Sequence, residues 1–249
     1  MINKSSWKKE VLSGNRFKFG NNWKHFLESL SEDRVQAAIK SMQEYLEIES
    51  LEGKTFLDVG CGSGLMSLAA RRLGAKVVSF DYDKNSVECA KSLKKMFSID
   101  DKNWKILEGS VLDKNFLKDI GRFDIVYSWG VLHHTGSMWE ALENILIPLS
   151  RKDGTLAIAI YNDNGFESDF WLKIKSFYNS GILQCLFIKI FFITFFTLKT
   201  LASGIFKHKD PFFIFKNYRN KRGMNVYFDW IDWIGGYPFE VAKIESVFK

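Results

Sequence analysis

Cysteine is scarce in this sequence, and its spacing excludes two kinds of architecture. Three cysteines occur in 249 residues, Cys61, Cys89 and Cys185, and no C-x-x-C pair is present. We therefore expect neither a disulfide framework nor a metal site, and the usage is typical of a reducing compartment. The first ten residues carry charge but no apolar run, so no secretion signal is predicted. The expected location is the cytoplasm.

Acidic residues are nearly absent from one long segment. Between Phe170 and Phe228 ten Lys or Arg residues accompany a single acid, Asp210, whereas the whole chain carries a net charge of +6. The rest of the chain is therefore slightly acidic. With 46% apolar residues the chain can bury a substantial core, as one large domain or as a domain with a modest insertion.

An uninterrupted apolar run long enough to cross a bilayer is also missing. The most apolar stretch is 182–206, but Lys189 and Lys199 leave nine uncharged residues between them, whereas a span needs about 20. Three interpretations stay open: a helical cap buried on the domain, a helix at a membrane surface, and a dimer contact. The basic run at 207–222 favours peripheral contact with an anionic membrane through 182–222. Basic and aromatic residues together also suit RNA, but without an RNA-binding module we expect no specific nucleic-acid partner.

The most informative stretch is 55–68. Its apolar start, Thr55–Val59, predicts a buried strand, which is followed by Gly60, Gly62 and Gly64 and by a helical pattern from Leu65. Glycine allows positive φ and close approach of a ligand, and the helix start offers unpaired N–H groups. The pattern favours a nucleotide-like ligand, and an ordinary glycine-rich turn is the alternative.

Strands and helices alternate regularly after this turn. The alternation predicts an α/β fold with a parallel sheet that is covered by helices on both faces. The predicted strands are 55–59, 76–80, 104–107, 123–127 and 152–161, and the predicted helices are 31–49, 64–73, 84–97 and 137–149.

Ligands of such sheets bind at the carboxyl ends of the strands, where this sequence places polar residues. Asp81, 21 residues after Gly60, can accept two hydrogen bonds from a ribose diol, although a solvated loop Asp is the alternative. Tyr82 could pack on an adenine face. Ser110, through its side chain, and Val111, through its backbone N–H, would reach the far edge of the adenine.

Five motifs in this order resemble class I S-adenosylmethionine-dependent methyltransferases: D-V-G-C-G-S-G (58–64), V-S-F-D-Y-D (78–83), E-G-S-V-L-D (108–113), F-D-I-V-Y-S-W-G-V-L-H-H (123–134) and D-G-T-L-A-I-A-I-Y-N (153–162). The resemblance implies a doubly wound Rossmann-like sheet and S-adenosylmethionine as cofactor. The D-x-G-x-G-x-G spacing favours this cofactor over NAD. The implied cofactor-binding residues are Asp58, Gly60, Cys61, Gly62, Gly64, Asp81, Tyr82, Ser110, Val111 and Ser128.

Y-N-D-N-G and D-W-I-G-G-Y-P-F-E-V-A (232–242) resemble a bacterial subgroup of these enzymes, together with the N-terminal F-G-N-N-W. Some quinone O-methyltransferases carry E-x-x-E-H after the fourth strand. This chain has Gly130, His133 and His134 there, so the resemblance implies neither a metal-assisted mechanism nor a quinone acceptor.

Methyl transfer from a sulfonium requires an aligned nucleophile and exclusion of water, and an oxygen nucleophile can also need a base. We expect His134, beside His133, to be that base and Tyr161 to orient the acceptor, while a histidine packed under the next helix is the structural alternative. The expected activity is methylation of a small-molecule acceptor at oxygen. A cofactor-binding protein with an incomplete acceptor site is the alternative, and an RNA, lipid or quinone methyltransferase is less favoured.

Three regions are predicted: an N-terminal helical lid at 1–50, the methyltransferase core at 51–165, and a basic, aromatic and largely helical extension at 166–249. Class I enzymes usually close the sheet with an antiparallel hairpin. Only nine residues follow Glu240, so we expect this hairpin to be missing unless 182–206 or 226–234 supplies a strand.

Overall fold

The structure, a computed structural model, describes residues 5–20, 23, 27, 30–97, 102–150, 152–206 and 226–248. The chain divides into two compact units. The first unit comprises 1–7, 18–163 and 239–249, and the second comprises 8–17 and 164–238. The predicted basic run at 207–222 lies outside the described residues.

A five-stranded parallel sheet in the order β3-β2-β1-β4-β5 forms the centre of the first unit. This topology confirms the predicted Rossmann-like fold. Because all five strands are parallel, their carboxyl ends meet at one edge, and the strand order reverses between β1 and its neighbour β4. The strands are β1 Thr55–Val59, β2 Lys76–Asp81, β3 Trp104–Glu108, β4 Ile125–Trp129 and β5 Thr155–Ala159.

The fourth strand begins two residues later than the sequence predicts. Phe123 forms an isolated bridge with Leu149 instead of joining the sheet. The carboxylate of Asp124 accepts hydrogen bonds from the backbone N–H and the hydroxyl of Thr55, at 2.8 and 2.7 Å. Side-chain contacts thus join Asp124 to Thr55, pairing with β1 begins at the next residue, Ile125, and the strand continues to Trp129.

The helices form where apolar residues recur at helical spacing, as in the second helix, which buries Val35, Ala38 and Met42 on one face. A single 3-10 turn, Leu132–His134, follows β4. In chain order the α-helices are α1 Ser5–Leu12, α2 Glu32–Leu46, α3 Leu65–Arg72, α4 Lys84–Phe97, α5 Lys114–Asp119, α6 Met138–Asn144, α7 Phe166–Asn179, α8 Ile182–Phe206, α9 Val226–Gly235 and α10 Ile244–Val247.

Helices cover both faces of the sheet, which explains why most strand residues are apolar. Phe56 packs on one face with residues of α2, α3 and α4. Its neighbour Leu57 packs on the other face with Met138 and Ala141 of α6 and with Leu117 of α5. Alternate residues of β1 therefore pack into two separate core layers.

No antiparallel hairpin closes the sheet within the described residues. Both candidate segments are helical, since 182–206 is α8 and 226–234 lies in α9. The segment after Pro238 instead forms a single parallel bridge beside β5. There the N–H of Ala242 donates to the carbonyl of Tyr161, and the N–H of Asp163 donates to the carbonyl of Ala242, each at 3.1 Å.

The second unit is helical. Its core joins α7, α8 and α9 through Tyr178, Ile188, Phe192, Ile231 and Ile234. One cation, Lys175 of α7, is buried within this unit. Its ammonium donates to the carbonyl of Trp233 and lies 4.5 Å from the centre of that indole ring. Burial lowers the pKa of Lys175 to about 7.

Candidate active site

The turn from β1 into α3 requires glycine for steric as well as conformational reasons. Gly60, Gly62 and Gly64 all have positive φ, at +76°, +53° and +84°. A Cβ on Gly60 would lie 2.4 Å from the side chain of Val131, and one on Gly62 would lie 3.0 Å from the ring of Trp23. Glycine is therefore required at both positions because Val131 and Trp23 pack directly against the backbone of the turn, just before the N–H groups that begin α3.

Asp81 at the end of β2 is tied to this turn. Its Oδ2 accepts the N–H of Gly62 at 2.9 Å, and its Oδ1 accepts the N–H of Asp83 at 2.8 Å. Burial raises the pKa of Asp81 to about 7, against the lowering effect of these two hydrogen bonds. Each carboxylate oxygen keeps a further lone pair, so the group could also accept hydrogen bonds from two hydroxyls.

Two other predicted residues of the turn are buried. The Asp58 carboxylate accepts a hydrogen bond from the hydroxyl of Ser67 in α3 at 2.5 Å, and burial raises the pKa of Asp58 to about 6. Burial, followed by the charges of Asp81 and Asp58, raises the pKa of the Cys61 thiol well above its usual range. Cys61 is therefore a protonated, apolar part of the turn and not a nucleophile.

The residues predicted to surround an adenine lie at the same edge, because β2 and β3 pair in register with Asp81 opposite Glu108. Tyr82 is half-buried and directly follows Asp81. The Ser110 hydroxyl accepts the N–H of Leu112 at 3.2 Å, which tightens the loop after β3. The side-chain amide of Asn144 holds this loop by donating to the carbonyl of Val111 at 3.1 Å.

Ser128 has a different environment from the one its predicted position suggests. The shift of β4 places it inside the sheet, where it is fully buried. Its hydroxyl donates to the carbonyl of Val59 at 3.1 Å and so links β4 to β1. The strand ends one residue later at Trp129, which is exposed and packs edge-on against Tyr45 with ring centres 4.2 Å apart.

The structure brings His133, His134 and Tyr161 together beyond the ends of β4 and β5. His133 is buried, its ring lies 4.0 Å from that of Tyr161, and its Nδ1 accepts the N–H of Tyr161 at 3.3 Å. His134 is half-buried, with its ring centre 4.9 Å from that of Phe19 and 5.7 Å from that of Tyr161. Three of these four side chains are predicted from the sequence as catalytic residues, whereas Phe19 is included only as part of the F-G-N-N-W motif.

The N-terminal segment covers the glycine turn. Trp23 lies against Gly62, and the N–H of Gly20 donates to the Asp83 carboxylate at 2.9 Å. The F-G-N-N-W motif thus makes three contacts near the strand ends. Trp23 contacts Gly62, Gly20 contacts Asp83, and Phe19 packs beside His134. The sequence predicts a lid at 1–50, but it could not predict the contact between Gly20 and Asp83, which are 63 positions apart.

Sequence reasoning missed Glu240, which holds the histidine turn in place. Its N–H donates to the carbonyl of His133 at 2.9 Å. Its two carboxylate oxygens accept the N–H of Met138, the first residue of α6, at 3.0 and 3.2 Å. Ser137, which precedes α6, makes no side-chain cap, so Glu240 takes that role across 102 positions.

We expect Glu240→Ala to destabilise the first unit by about 1 kcal/mol, the usual cost of losing a helix cap. For a chain of this size that corresponds to a fall in thermal midpoint of about 2–4 °C, measured by circular dichroism. Glu240→Gln keeps an acceptor and should lose less. Glu245→Ala, at an exposed position in α10, is the control. An unchanged midpoint for Glu240→Ala would contradict this role.

A parallel sheet of this order, with a D-x-G-x-G-x-G turn after β1 and an acid after β2, defines a class I methyltransferase site. The family described as "Methyltransferase domain" matches residues 50–187, more than half of the chain, and the chain belongs to this family. The chain therefore contains a methyltransferase domain of the S-adenosylmethionine-dependent class. The site fits that cofactor, because Asp81 presents a buried carboxylate beside the positive-φ glycine turn and the N–H groups that begin α3.

Several known proteins are similar to parts of this chain. A ribosomal protein L11 methyltransferase of Lachnospira eligens is 33% identical over 90 residues, which are 36% of this chain and 27% of that protein. A ubiquinone biosynthesis O-methyltransferase of Pelagibacter ubique is 32% identical over 112 residues, 45% of this chain and 44% of that protein. The YcgJ protein of Bacillus subtilis, a solved structure, has a TM-score of 0.48 at 21% identity, covering 57% of this chain and 59% of that one. This chain spans less than half the length of both curated relatives.

Proposed function

We propose that this methyltransferase methylates an oxygen atom of a small-molecule acceptor and that His134 is the general base. The observation that carries the proposal is the half-buried His134 ring, set between Phe19 and Tyr161. It lies at the same sheet edge as Asp81 and the glycine turn. Aromatic walls exclude water and bind an organic acceptor, while imidazole titrates near neutral pH.

The two histidines are assigned different roles because their surroundings differ. His133 is buried, and its Nδ1 is already used by the N–H of Tyr161, so in the neutral ring the proton is on Nε2. Its carbonyl is also held, by the N–H of Glu240. His133 is therefore a positioning residue that orients the turn, and the half-buried His134 is left as the base.

S-adenosylmethionine supplies a methyl group that is already activated on a sulfonium sulfur. The chain's residues must hold the acceptor oxygen in line with that methyl carbon. The acceptor hydroxyl would lose its proton to an imidazole nitrogen of His134, and the bound cofactor would supply the methyl group and leave as the neutral thioether. The Tyr161 hydroxyl is proposed to orient the acceptor. The similarity to the Pelagibacter relative, an O-methyltransferase, supports oxygen as the methylated atom.

A methyl-transfer screen tests the proposal. The full chain is incubated with methyl-labelled S-adenosylmethionine and, separately, with hydroxylated small molecules, ribosomal protein L11 and RNA. We expect label in a small-molecule product, with the methyl group on oxygen by mass spectrometry. Label only in protein or RNA would overturn the proposal. Calorimetric binding of S-adenosylmethionine without transfer to any acceptor would instead indicate a cofactor-binding protein that lacks acceptor chemistry.

A further inference from the structure

Helix α8 presents a long apolar surface that nothing else in the described chain covers. Seven of its apolar side chains are between 49% and 78% exposed, and together they define the apolar face of α8: Leu183, Leu186, Phe187, Ile190, Phe191, Phe195 and Leu198. At a rise of 1.5 Å per residue, the face is about 22 Å long. Exposed apolar surfaces of this extent usually mark a binding surface for a protein or a membrane.

The opposite side of α8 is packed. Ile188 and Phe192 are buried in the core shared with α7 and α9. Both partner helices carry charged side chains, including Asp169 and Lys173 on α7 and Asp232 on α9. A helix that is packed against such neighbours is poorly suited to the bilayer interior.

By length and composition alone, Ile182–Gly204 is apolar enough to cross a membrane despite Lys189 and Lys199, and 11% of its 18-residue apolar window is buried. The packing described above favours a position along the membrane surface instead, with one side in contact with protein and the other with lipid. In that orientation the helix lies parallel to the membrane plane.

The charges of this segment fit an anionic lipid surface. Neither lysine of α8 interrupts the apolar face: Lys189 lies near the Tyr178 ring on the packed side, and Lys199 lies at the edge of the face. By sequence, the chain from Phe170 to Phe228 carries ten basic residues and one acid, and six of the ten belong to the run at 207–222 outside the described residues. Anionic headgroups attract such a segment, whereas a second copy of it would be repelled.

We propose that the apolar face of α8 docks this protein onto anionic membranes, with the helix lying in the interfacial plane. The proposal concerns a surface of the second unit and is independent of the acceptor chemistry at the first. Burial of the phenylalanine and leucine side chains would provide the affinity. The basic residues would provide the preference for anionic lipid, and salt should weaken that preference.

Vesicle co-sedimentation of the full chain provides the test. We expect binding to phosphatidylcholine vesicles that contain phosphatidylglycerol, weaker binding to pure phosphatidylcholine, and release as salt is raised. Phe191→Glu, on the apolar face, should lower the partition coefficient by about tenfold or more. Phe177→Glu is the matched control, because it makes the same change at an exposed phenylalanine of α7 and should change partitioning less than about twofold.

Three results would overturn the proposal. The first is the absence of co-sedimentation with anionic vesicles. The second is a dimer in sedimentation velocity that Phe191→Glu dissociates without any vesicle binding, which would make a second copy the occupant. The third is retention in membranes after alkaline carbonate extraction, which would indicate a spanning helix. Unchanged circular dichroism and S-adenosylmethionine binding would show that both variants are folded.

Discussion

Asp81→Asn is expected to weaken S-adenosylmethionine binding by about 100-fold, because losing charge-assisted hydrogen bonds to two hydroxyls costs about 3 kcal/mol. The carboxylate is held at the end of β2 by the N–H groups of Gly62 and Asp83. It is thus oriented before any ligand arrives, so little of the binding energy is spent on ordering it. The amide of asparagine can replace only one acceptor oxygen, and it adds a donor near the N–H of Gly62. Isothermal titration calorimetry measures the effect.

The pH dependence of binding provides a second readout. Burial raises the pKa of Asp81 from 3.8 to about 7, so the folded protein holds a proton on this group that the unfolded chain has lost. Raising the pH from about 4 to 7 therefore reduces the contribution of Asp81 to the free energy of unfolding. Cofactor binding follows the opposite trend, because the ionised carboxylate is the better acceptor. The affinity of the wild type for S-adenosylmethionine should rise between pH 6 and 8. The affinity of Asp81→Asn should not change over this range.

Glu88→Gln supplies the control, since it makes the same chemical change at an exposed position of α4. It should leave both the dissociation constant and its pH dependence unaltered. Asp58, whose pKa is raised to about 6, contributes a smaller change at lower pH in wild type and variant alike. If Asp81→Asn bound S-adenosylmethionine within about threefold of wild type, with the same pH profile, Asp81 would not be the ribose partner.

The sheet could be predicted because the residue patterns that indicate its strands lie within short stretches of sequence. The strands are largely apolar, a helical pattern follows three of the five predicted strands, and three glycines mark the turn after the first strand. The start of β4 could not be placed, because it depends on hydrogen bonds between Asp124 and Thr55, 69 positions apart. The same shift places Ser128 in the sheet instead of the predicted loop, and its hydroxyl donates to the carbonyl of Val59 in β1.

Long-range polar contacts also explain what was missed at the site. Sequence periodicity placed His133, His134 and Tyr161 at neighbouring strand ends. It did not indicate that Glu240 would cap α6 and hold the His133 carbonyl, because a lone acid in a C-terminal motif has no local partner.

The orientation of helix α8 also could not be predicted from the sequence. Its sequence is apolar on all sides, so only the tertiary contacts of Ile188 and Phe192 reveal which side is packed.

His134→Gln is expected to lower the rate of methyl transfer by about 10²- to 10⁴-fold, the usual contribution of a general base. Glutamine keeps a polar side chain of similar reach between Phe19 and Tyr161, but it cannot accept the acceptor's proton. Single-turnover measurement with the acceptor identified by the screen isolates the chemical step from product release. In the wild type the rate should fall at acidic pH, because a protonated imidazole cannot accept a proton. This acid limb of the pH–rate profile should disappear in the variant.

His133→Gln separates a base from a positioning residue. His133 is buried and bonded to the N–H of Tyr161, so its replacement should lower the thermal midpoint and slow transfer while the acid limb of the pH profile persists. His134→Gln should instead leave the thermal midpoint and S-adenosylmethionine affinity close to wild type. Near-normal single-turnover transfer by His134→Gln across the pH range would remove His134 from the mechanism. An acceptor oxygen of low pKa would then need no base, since it is already ionised when it meets the methyl group.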